Sequence, residues 1–317
     1  MSGEFELIAR HFTRPVRRAV MGVGDDCALL RVEPGMQLAV SSDMLVEGRH
    51  FLSTVAPERL GHKALAVNLS DLAACGAEPL AFTLALALPR GDDDFAAGLA
   101  RGLFALADAH GAELVGGDTT AGPLNLCLTV FGQVPPGQAL LRSGARAGDE
   151  LWVSGTLGDA RLALEVFRGQ LVLAGEAFEQ VRRAMELPQP RVALGLALRG
   201  LASSAIDLSD GLVGDLGHVL RRSGVGAQVQ LDALPRSAVL AAQSAALQQL
   251  CLLAGGDDYE LLFTAPSAHR AAVLAAGRHA GVAVTCCGLI TVGGGLQVLD
   301  HAGQVLPLPL SGFDHFA

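Results

Sequence analysis

The chain has 317 residues and a formal net charge of −9, which results from 32 acidic and 23 basic residues. This acidic balance argues against a nucleic-acid or anionic-membrane partner, because both select basic surfaces. Half of the residues are apolar, and domains average about 100–200 residues, so the length indicates two domains with a core in each.

The positive mean hydropathy of +0.40 does not indicate a membrane span. The longest apolar run, 80–88, is bounded by Pro79 and Pro89, whereas a transmembrane helix needs about 20 residues, so we predict a buried strand there. The first ten residues include Glu4 and Glu6 and lack the layout of a signal peptide. The six cysteines form no Cys-x-x-Cys motif, which is typical of free thiols in the cytoplasm.

Hydrophobic periodicity predicts alternating helices and strands. In the first half we predict a helix at 4–12, a strand at 38–42, a helix at 59–75, a strand at 81–88, a helix at 95–110 that begins at the Asp triplet 92–94, and strands at 113–115 and 125–134. Residues 135–149 are rich in turn formers. They predict a boundary between domains at 1–148 and 149–317.

The second half repeats the mixture of helices and strands. We predict strands at 150–154, 204–206, 227–231, 259–264 and within 282–290, helices at 159–168, 191–199, 211–223 and 269–280, and a hairpin turn at the glycines 293–295. Two mixed α/β domains are therefore expected.

Six short acidic motifs recur where predicted strands or turns end. They are GDD (24–26), SSD (41–43), NLSD (68–71), GGDTT (116–120), DLSDG (207–211) and GGDD (255–258). A single Asp beside Gly is typical of an ordinary turn, and Ser209 or Asp210 could equally cap the next helix. Asp71 differs, because a carboxylate on the same face of an apolar helix as Asn68 needs a partner.

The recurrence of these motifs in both halves favours a metal site over ordinary turns. Mg²⁺ binds carboxylates, waters and substrate phosphates, and glycine lets the backbone approach a polyanion. Clustered carboxylates repel one another unless cations compensate, so several of them near phosphate imply more than one ion. A Walker-type loop is excluded, because Lys63 is the only lysine and its neighbours do not match that motif.

The ordered motifs resemble those of the thiamine-monophosphate kinases. The resemblance covers essentially the whole chain, through VGDDCALL (23–30), SSDMLVEGRHF (41–51), KALAVNLSDLAACGAEP (63–79), GGDTT (116–120), AIDLSDGL (205–212), GGDDYEL (255–261) and GFDHFA (312–317). A wider superfamily, with aminoimidazole ribonucleotide synthetase, selenophosphate synthetase and HypE, shares only part of this set. The resemblance implies a two-domain, aminoimidazole ribonucleotide synthetase-like (PurM-like) architecture of mixed α/β sheets, with an N-terminal domain that binds ATP and magnesium and pairs across a homodimer.

The resemblance also implies the reaction ATP + thiamine phosphate → ADP + thiamine diphosphate, with a role for each matching residue. The implied magnesium ligands are Asp26, Ser41, Ser42, Asp43, Asp71, Asp118, Asp207 and Asp210. The implied ATP contacts are Gly117, Asp118, Arg142 and Ser209. The implied contacts with thiamine phosphate are His50, Asp257 and Phe313. The family commonly has Glu in place of Asp257, and Tyr or Trp in place of Phe313.

Two other functions compete with this interpretation. One is another ATP-dependent enzyme of the superfamily, which acts on an aminoimidazole precursor or on selenide. Selenide chemistry calls for a reactive N-terminal cysteine, and the first cysteine, Cys27, follows the first acidic motif. The other is a non-catalytic sensor of thiamine phosphates, which should have lost metal ligands, and none of the expected ligands is missing. No candidate nucleophile accompanies the motifs, so direct phosphoryl transfer is expected.

Overall fold

The computed structural model describes residues 3–307, and the chain divides into two compact units. The division falls after Gly137, and the short segment Ala73–Gly76 belongs to the second unit. This division comes earlier than the boundary expected from the sequence. The reason is that the turn-rich stretch hydrogen-bonds within the second unit, where Ala205 N donates to Leu141 O at 2.9 Å.

The first unit contains a four-stranded sheet with the strand order β1-β4-β2-β3. Its elements are α1 (Glu4–Leu7), a π-helical turn (Ile8–Phe12), β1 (Gln37–Val46), α2 (Pro57–Ala74), β2 (Glu78–Leu88), α3 (Asp93–His110), β3 (Glu113–Ala121) and β4 (Asn125–Val134). Strand β4 is antiparallel to β1 and β2, and β2 is parallel to β3. Every element predicted in this half is confirmed, although β3 continues through the GGDTT motif.

The core of the first unit is formed by buried side chains of β2 and by its two long helices, which pack closely against each other. Strand β2 buries three alternate side chains, Phe82, Leu84 and Leu86. Helices α2 and α3 meet at glycines, because a Cβ on Gly102 would lie 1.8 Å from Glu58 O. Helix α3 begins where Asp92 accepts a hydrogen bond from Phe95 N at 3.0 Å, which confirms the helix start predicted at the Asp triplet.

The sheet face that does not carry Phe82, Leu84 and Leu86 is exposed to solvent along β1. Leu38, Val40 and Met44 alternate with inward-facing residues and expose 48, 56 and 54% of their surface. Elsewhere on this face, residues of the segment 16–32 pack against Ala81. We call Leu38, Val40 and Met44 the β1 apolar strip.

The second unit contains a six-stranded sheet with the strand order β10-β7-β9-β5-β8-β6. Its elements are β5 (Asp149–Ser154), α4 (Asp159–Phe167), α5 (Gly175–Glu186), α6 (Val192–Ala197), β6 (Ser204–Asp207), α7 (Leu212–Ser223), β7 (Gly226–Gln230), α8 (Ala238–Ala241), α9 (Ala245–Ala254), β8 (Leu261–Pro266), α10 (Arg270–His279), β9 (Val284–Thr291) and β10 (Gly295–Leu299). All pairings are antiparallel except β10 with β7.

The structure corrects the sequence-based description of this unit in two respects. Helices α5, α8 and α9 and strand β10 were not predicted. The hairpin prediction at 293–295 is wrong, because β10 pairs parallel with β7 and not with β9. The glycines therefore carry the chain past the end of β7, where a Cβ on Gly226 would lie 3.0 Å from both Gly293 O and Gly295 O.

Across the described residues, no helix is long and apolar enough to cross a membrane. All six cysteines, which lie within these residues, are free thiols. Burial raises the pKa of the Cys251 thiol to about 12, so this thiol stays protonated at neutral pH.

Candidate active site

Polar side chains of the first unit gather where β1 passes α2. Ser41 Oγ donates to Asp71 Oδ2 at 2.5 Å, and Asn68 Oδ1 accepts from the backbone N–H of Asp43 at 3.1 Å. Asn68 is fully buried, and its Nδ2 donates to Ala64 O at 2.9 Å. The buried amide fixes β1 against α2, so the structure brings Ser41, Asp43 and Asp71 to the same junction.

Asp118 lies elsewhere on the same sheet. It pairs with Ala85 of β2 and is exposed, whereas Asp43 pairs with the buried Leu128 of β4. Because side chains alternate between the two faces of a sheet, this register places Asp43 and Asp118 on opposite faces. The expectation that these motifs mark strand ends is also corrected, since both residues lie inside strands.

Two further predicted site residues, Ser42 and Gly117, also lie within these strands. Ser42 Oγ donates to Leu128 O at 2.9 Å, so its hydroxyl points toward β4 and not toward Asp71. Gly117 has a φ of 149°, and a Cβ there would lie 1.9 Å from Leu84 O. The backbone at Gly117 therefore has no room for a side chain.

The remaining predicted residues of the first unit lie in loops. Asp26 is exposed, and its backbone N–H donates to Asp25 Oδ1 at 2.8 Å. His50 follows β1 and is half-buried, and its Nδ1 accepts a hydrogen bond from Val46 N at 3.0 Å. The neutral His50 ring therefore carries its proton on Nε2.

In the second unit, the DLSDG motif forms the connection from β6 to α7. Asp207 is buried at the end of β6, and Ser209 and Asp210 are half-buried in the loop. The backbone N–H of Asp210 donates to Asp215 Oδ2 at 3.0 Å. Burial and repulsion from Asp210 raise the pKa of Asp215 to about 7, whereas the hydrogen bond from the Asp210 amide and the charge of Arg142 act in the opposite direction. Leu141 O, next to the predicted ATP contact Arg142, accepts from Ala205 N at 2.9 Å, two residues before this motif.

The GGDD motif lies beside the DLSDG loop and is bonded to it. Asp257 N donates to Ser209 O at 2.8 Å, and Tyr259 N donates to Leu208 O at 2.8 Å. Asp257 and Tyr259 have φ values of 65° and 50°, in the left-handed region that non-glycine residues seldom adopt. The structure thus brings the predicted substrate contact Asp257 next to the predicted ATP contact Ser209.

Two carboxylates next to Asp257, those of Asp258 and Glu260, received no role from the sequence. Asp258 Oδ1 accepts from Gly158 N at 2.9 Å, and burial, followed by repulsion from Glu260 and Asp257, raises the pKa of Asp258. Glu260 accepts a hydrogen bond from Ser154 Oγ and two from Arg191, one of them from Nε at 2.7 Å. The signal for Glu260 was its place at the start of a buried strand, where a charge needs a partner.

Within residues 3–307, no three His, Cys, Asp or Glu side chains converge at metal-binding distance. The donors that do gather are carboxylate and hydroxyl oxygens, such as those of Asp71 and Ser41, which are the atoms that Mg²⁺ prefers. The residues fit magnesium in donor type, and phosphates and waters would complete its coordination. Phe313, a predicted substrate contact, lies outside the described residues.

Comparisons with known proteins agree with the two-unit architecture. Residues 24–134 match the family AIR synthase related protein, N-terminal domain, and residues 146–301 match its C-terminal domain. The thiamine-monophosphate kinase of Salmonella typhimurium is 45% identical, over 99% of this chain and 98% of the relative.

Solved structures of thiamine-monophosphate kinases are also similar to this chain over most of its length. The thiamine-monophosphate kinase from Stenotrophomonas maltophilia K279a is 43% identical, with a TM-score of 0.86 over 95% of each chain. AaThiL complexed with AMPPCP and TMP is 28% identical, with a TM-score of 0.78 over 90% of this chain and 89% of that chain. These similarities confirm the two-domain, mixed α/β architecture that the motifs implied. The chain therefore belongs to the thiamine-monophosphate kinases, a family of kinases among the AIR synthase related proteins.

Proposed function

We propose that the chain transfers the γ-phosphoryl group of ATP to thiamine monophosphate, which yields ADP and thiamine diphosphate. The observation that carries this proposal is the alignment of AaThiL, complexed with AMPPCP and TMP, over 90% of this chain. AMPPCP is an ATP analogue, so that protein holds a nucleotide and an acceptor together. The Ser41–Asp71 junction and the paired loops at Ser209 and Asp257 supply oxygen and backbone groups of the kind that such ligands need.

We assign the site residues to three roles. Magnesium would be held by Asp26, Ser41, Ser42, Asp43, Asp71, Asp118, Asp207 and Asp210. ATP would contact Gly117, Asp118, Arg142 and Ser209. Thiamine monophosphate would contact His50, Asp257 and Phe313. When bound, magnesium ions neutralise phosphate charge and orient the phosphates. In this assignment, residues before Gly137 supply six of the eight metal ligands, and Asp207 and Asp210 supply the other two.

The chemistry needs no general base. The acceptor is a phosphate monoester whose second pKa is about 6, so its oxygen is ionised at neutral pH. The main barrier is repulsion between two polyanions, and catalysis of phosphoryl transfer is chiefly positioning and charge stabilisation. The exposed Arg142 would hold an ATP phosphate through paired N–H donors. We infer direct, in-line transfer, since no activated Cys or His accompanies the motifs.

A mixing experiment tests the proposed function. Purified protein, magnesium, ATP and thiamine monophosphate should give thiamine diphosphate and ADP in equal amounts, measured by chromatography, and EDTA should stop the reaction because the phosphate charge is no longer neutralised. Binding of thiamine monophosphate without product would indicate a sensor instead. Absence of both binding and product would reopen the choice of substrate. Incubation with γ-labelled ATP alone should leave the protein unlabelled, and a labelled phosphoprotein would contradict direct transfer.

We also propose that the chain forms a homodimer through the β1 apolar strip. Its three side chains are about half exposed on a single sheet face, and an uncovered apolar face of this kind is typical of an interface. Sedimentation should give about twice the monomer mass of 32.6 kDa. Met44→Glu should shift the protein toward the monomer, whereas Val172→Glu, at an 88% exposed position of the second unit, should not. A wild-type monomer would contradict the proposal.

A further inference from the structure

The buried Asp215 is not explained by the roles assigned so far. It lies in the first turns of α7, exposes 3% of its surface, and its Oδ2 accepts a hydrogen bond from the backbone N–H of Asp210 at 3.0 Å. A buried carboxylate that accepts a loop amide restrains the backbone at that point. Asp215 therefore restrains the main chain at Asp210, next to Ser209, whose carbonyl accepts from Asp257 N at 2.8 Å.

The same helix holds the segment that carries Arg142. At the end of α7, Ser223 Oγ accepts from Gly144 N at 3.1 Å and from Ala145 N at 3.2 Å, and donates to Arg142 O at 3.3 Å. The charge of Arg142 in turn acts on Asp215 and on His218 of α7. Helix α7 thus organises both the loop with Ser209 and Asp210 and the loop with Arg142.

We propose that Asp215 is a positioning residue for nucleotide binding, which holds the Ser209–Asp210 backbone so that both side chains are preset for ATP and its metal. The proposal rests on the ATP and metal roles assigned above to these two residues. Asp215 does not contact the nucleotide itself, because its Oδ2 is turned toward the loop amide of Asp210.

The test compares Asp215→Asn with Asp159→Asn. Asp159 is a matched control, since it is also buried in the second unit but bonds to Ser237 and Gln180, outside the nucleotide loops. Weakening of the hydrogen bond from the Asp210 amide to the Asp215 side chain should raise the KM for ATP by about ten-fold. The KM for thiamine monophosphate should rise less than the KM for ATP, because only one of its proposed contacts, Asp257, is bonded to the loop that Asp215 restrains.

Amide hydrogen exchange in the nucleotide-free protein supplies a readout that does not depend on activity. The peptide that covers residues 207–211 should exchange about ten-fold faster in Asp215→Asn and at the wild-type rate in Asp159→Asn. If Asp215→Asn does not fold, Asp215→Glu, which keeps the charge on a longer side chain, should show the same pattern with a smaller effect. Unchanged exchange with an unchanged KM for ATP would overturn the proposal, as would an equal rise in both KM values.

A wrong substrate assignment would give a different set of results from a wrong role for Asp215. A wild-type protein that makes no thiamine diphosphate but binds AMPPCP would disprove the substrate assignment. The affinity of Asp215→Asn for AMPPCP with magnesium would then decide the role of Asp215, with about ten-fold weaker binding expected and wild-type affinity contradicting it.

Discussion

Asp71→Asn is expected to lower the rate of phosphoryl transfer by at least about a hundred-fold, because the variant removes a negative charge from the proposed metal site. The fold should persist, since Asn has nearly the same shape and its side-chain oxygen can still accept from Ser41 Oγ, which lies 2.5 Å from Asp71 Oδ2. The measurement is a steady-state assay at several magnesium concentrations, combined with thermal unfolding of each variant.

Asp108→Asn is the matched control for this experiment. Asp108 belongs to the same unit, but its side chain is 65% exposed and pairs with Arg14 on the surface, where ion pairs contribute about 0–1 kcal/mol. This control should keep the wild-type rate and stability. A near-normal rate in Asp71→Asn would remove Asp71 from the metal site, and partial recovery at high magnesium would support its role as a ligand.

Glu260→Gln is expected to lower the free energy of unfolding by about 3 kcal/mol or more, since the cost of breaking a buried ion pair is about 3–5 kcal/mol. The Glu260 side chain is 7% exposed and accepts from Arg191 through both of its oxygens, with Ser154 as a further donor. The variant leaves the Arg191 charge without a counterion in a confined site. Urea unfolding followed by circular dichroism measures the change.

The control for this prediction is Glu6→Gln. Glu6 pairs with Arg10 within one turn, and the two side chains are 57 and 48% exposed, so the loss should be below about 1 kcal/mol. An equally small loss in Glu260→Gln would show that the buried pair adds no net stability over a neutral amide.

Much of the fold could be predicted from the sequence, because local patterns determine most of its elements. The alternation in β2 and the Asp triplet before α3 correctly located a buried strand and a helix start. Strand β10 could not be located in this way, since its parallel pairing with β7 is a long-range choice that a glycine turn does not encode. Helix α9 was missed because it is nearly uniformly apolar and has a weak 3.6-residue period.

The candidate site could be predicted only in part. The motifs identified residues that the structure brings together, such as Ser41 with Asp71 and Ser209 with Asp257. They did not reveal that Asp43 and Asp118 lie on opposite faces of one sheet, because register depends on partner strands. Asp215 was overlooked, since an Asp in the first turns of a helix is common and only tertiary structure shows that it is buried.

Strand β5 has a consequence for how the chain folds during synthesis. This strand lies between β8 and β9 in the second sheet, and its Trp152 pairs with Phe263 and Cys286, which come more than 100 residues later in the sequence. Long-range pairing of this kind must wait for loop closure. As the ribosome makes the chain, β5 emerges with its apolar residues Leu151 and Val153 and without either neighbour. The second unit therefore completes its sheet only after β8 and β9 have been made, and nascent chains that stop before β8 are expected to need chaperone protection.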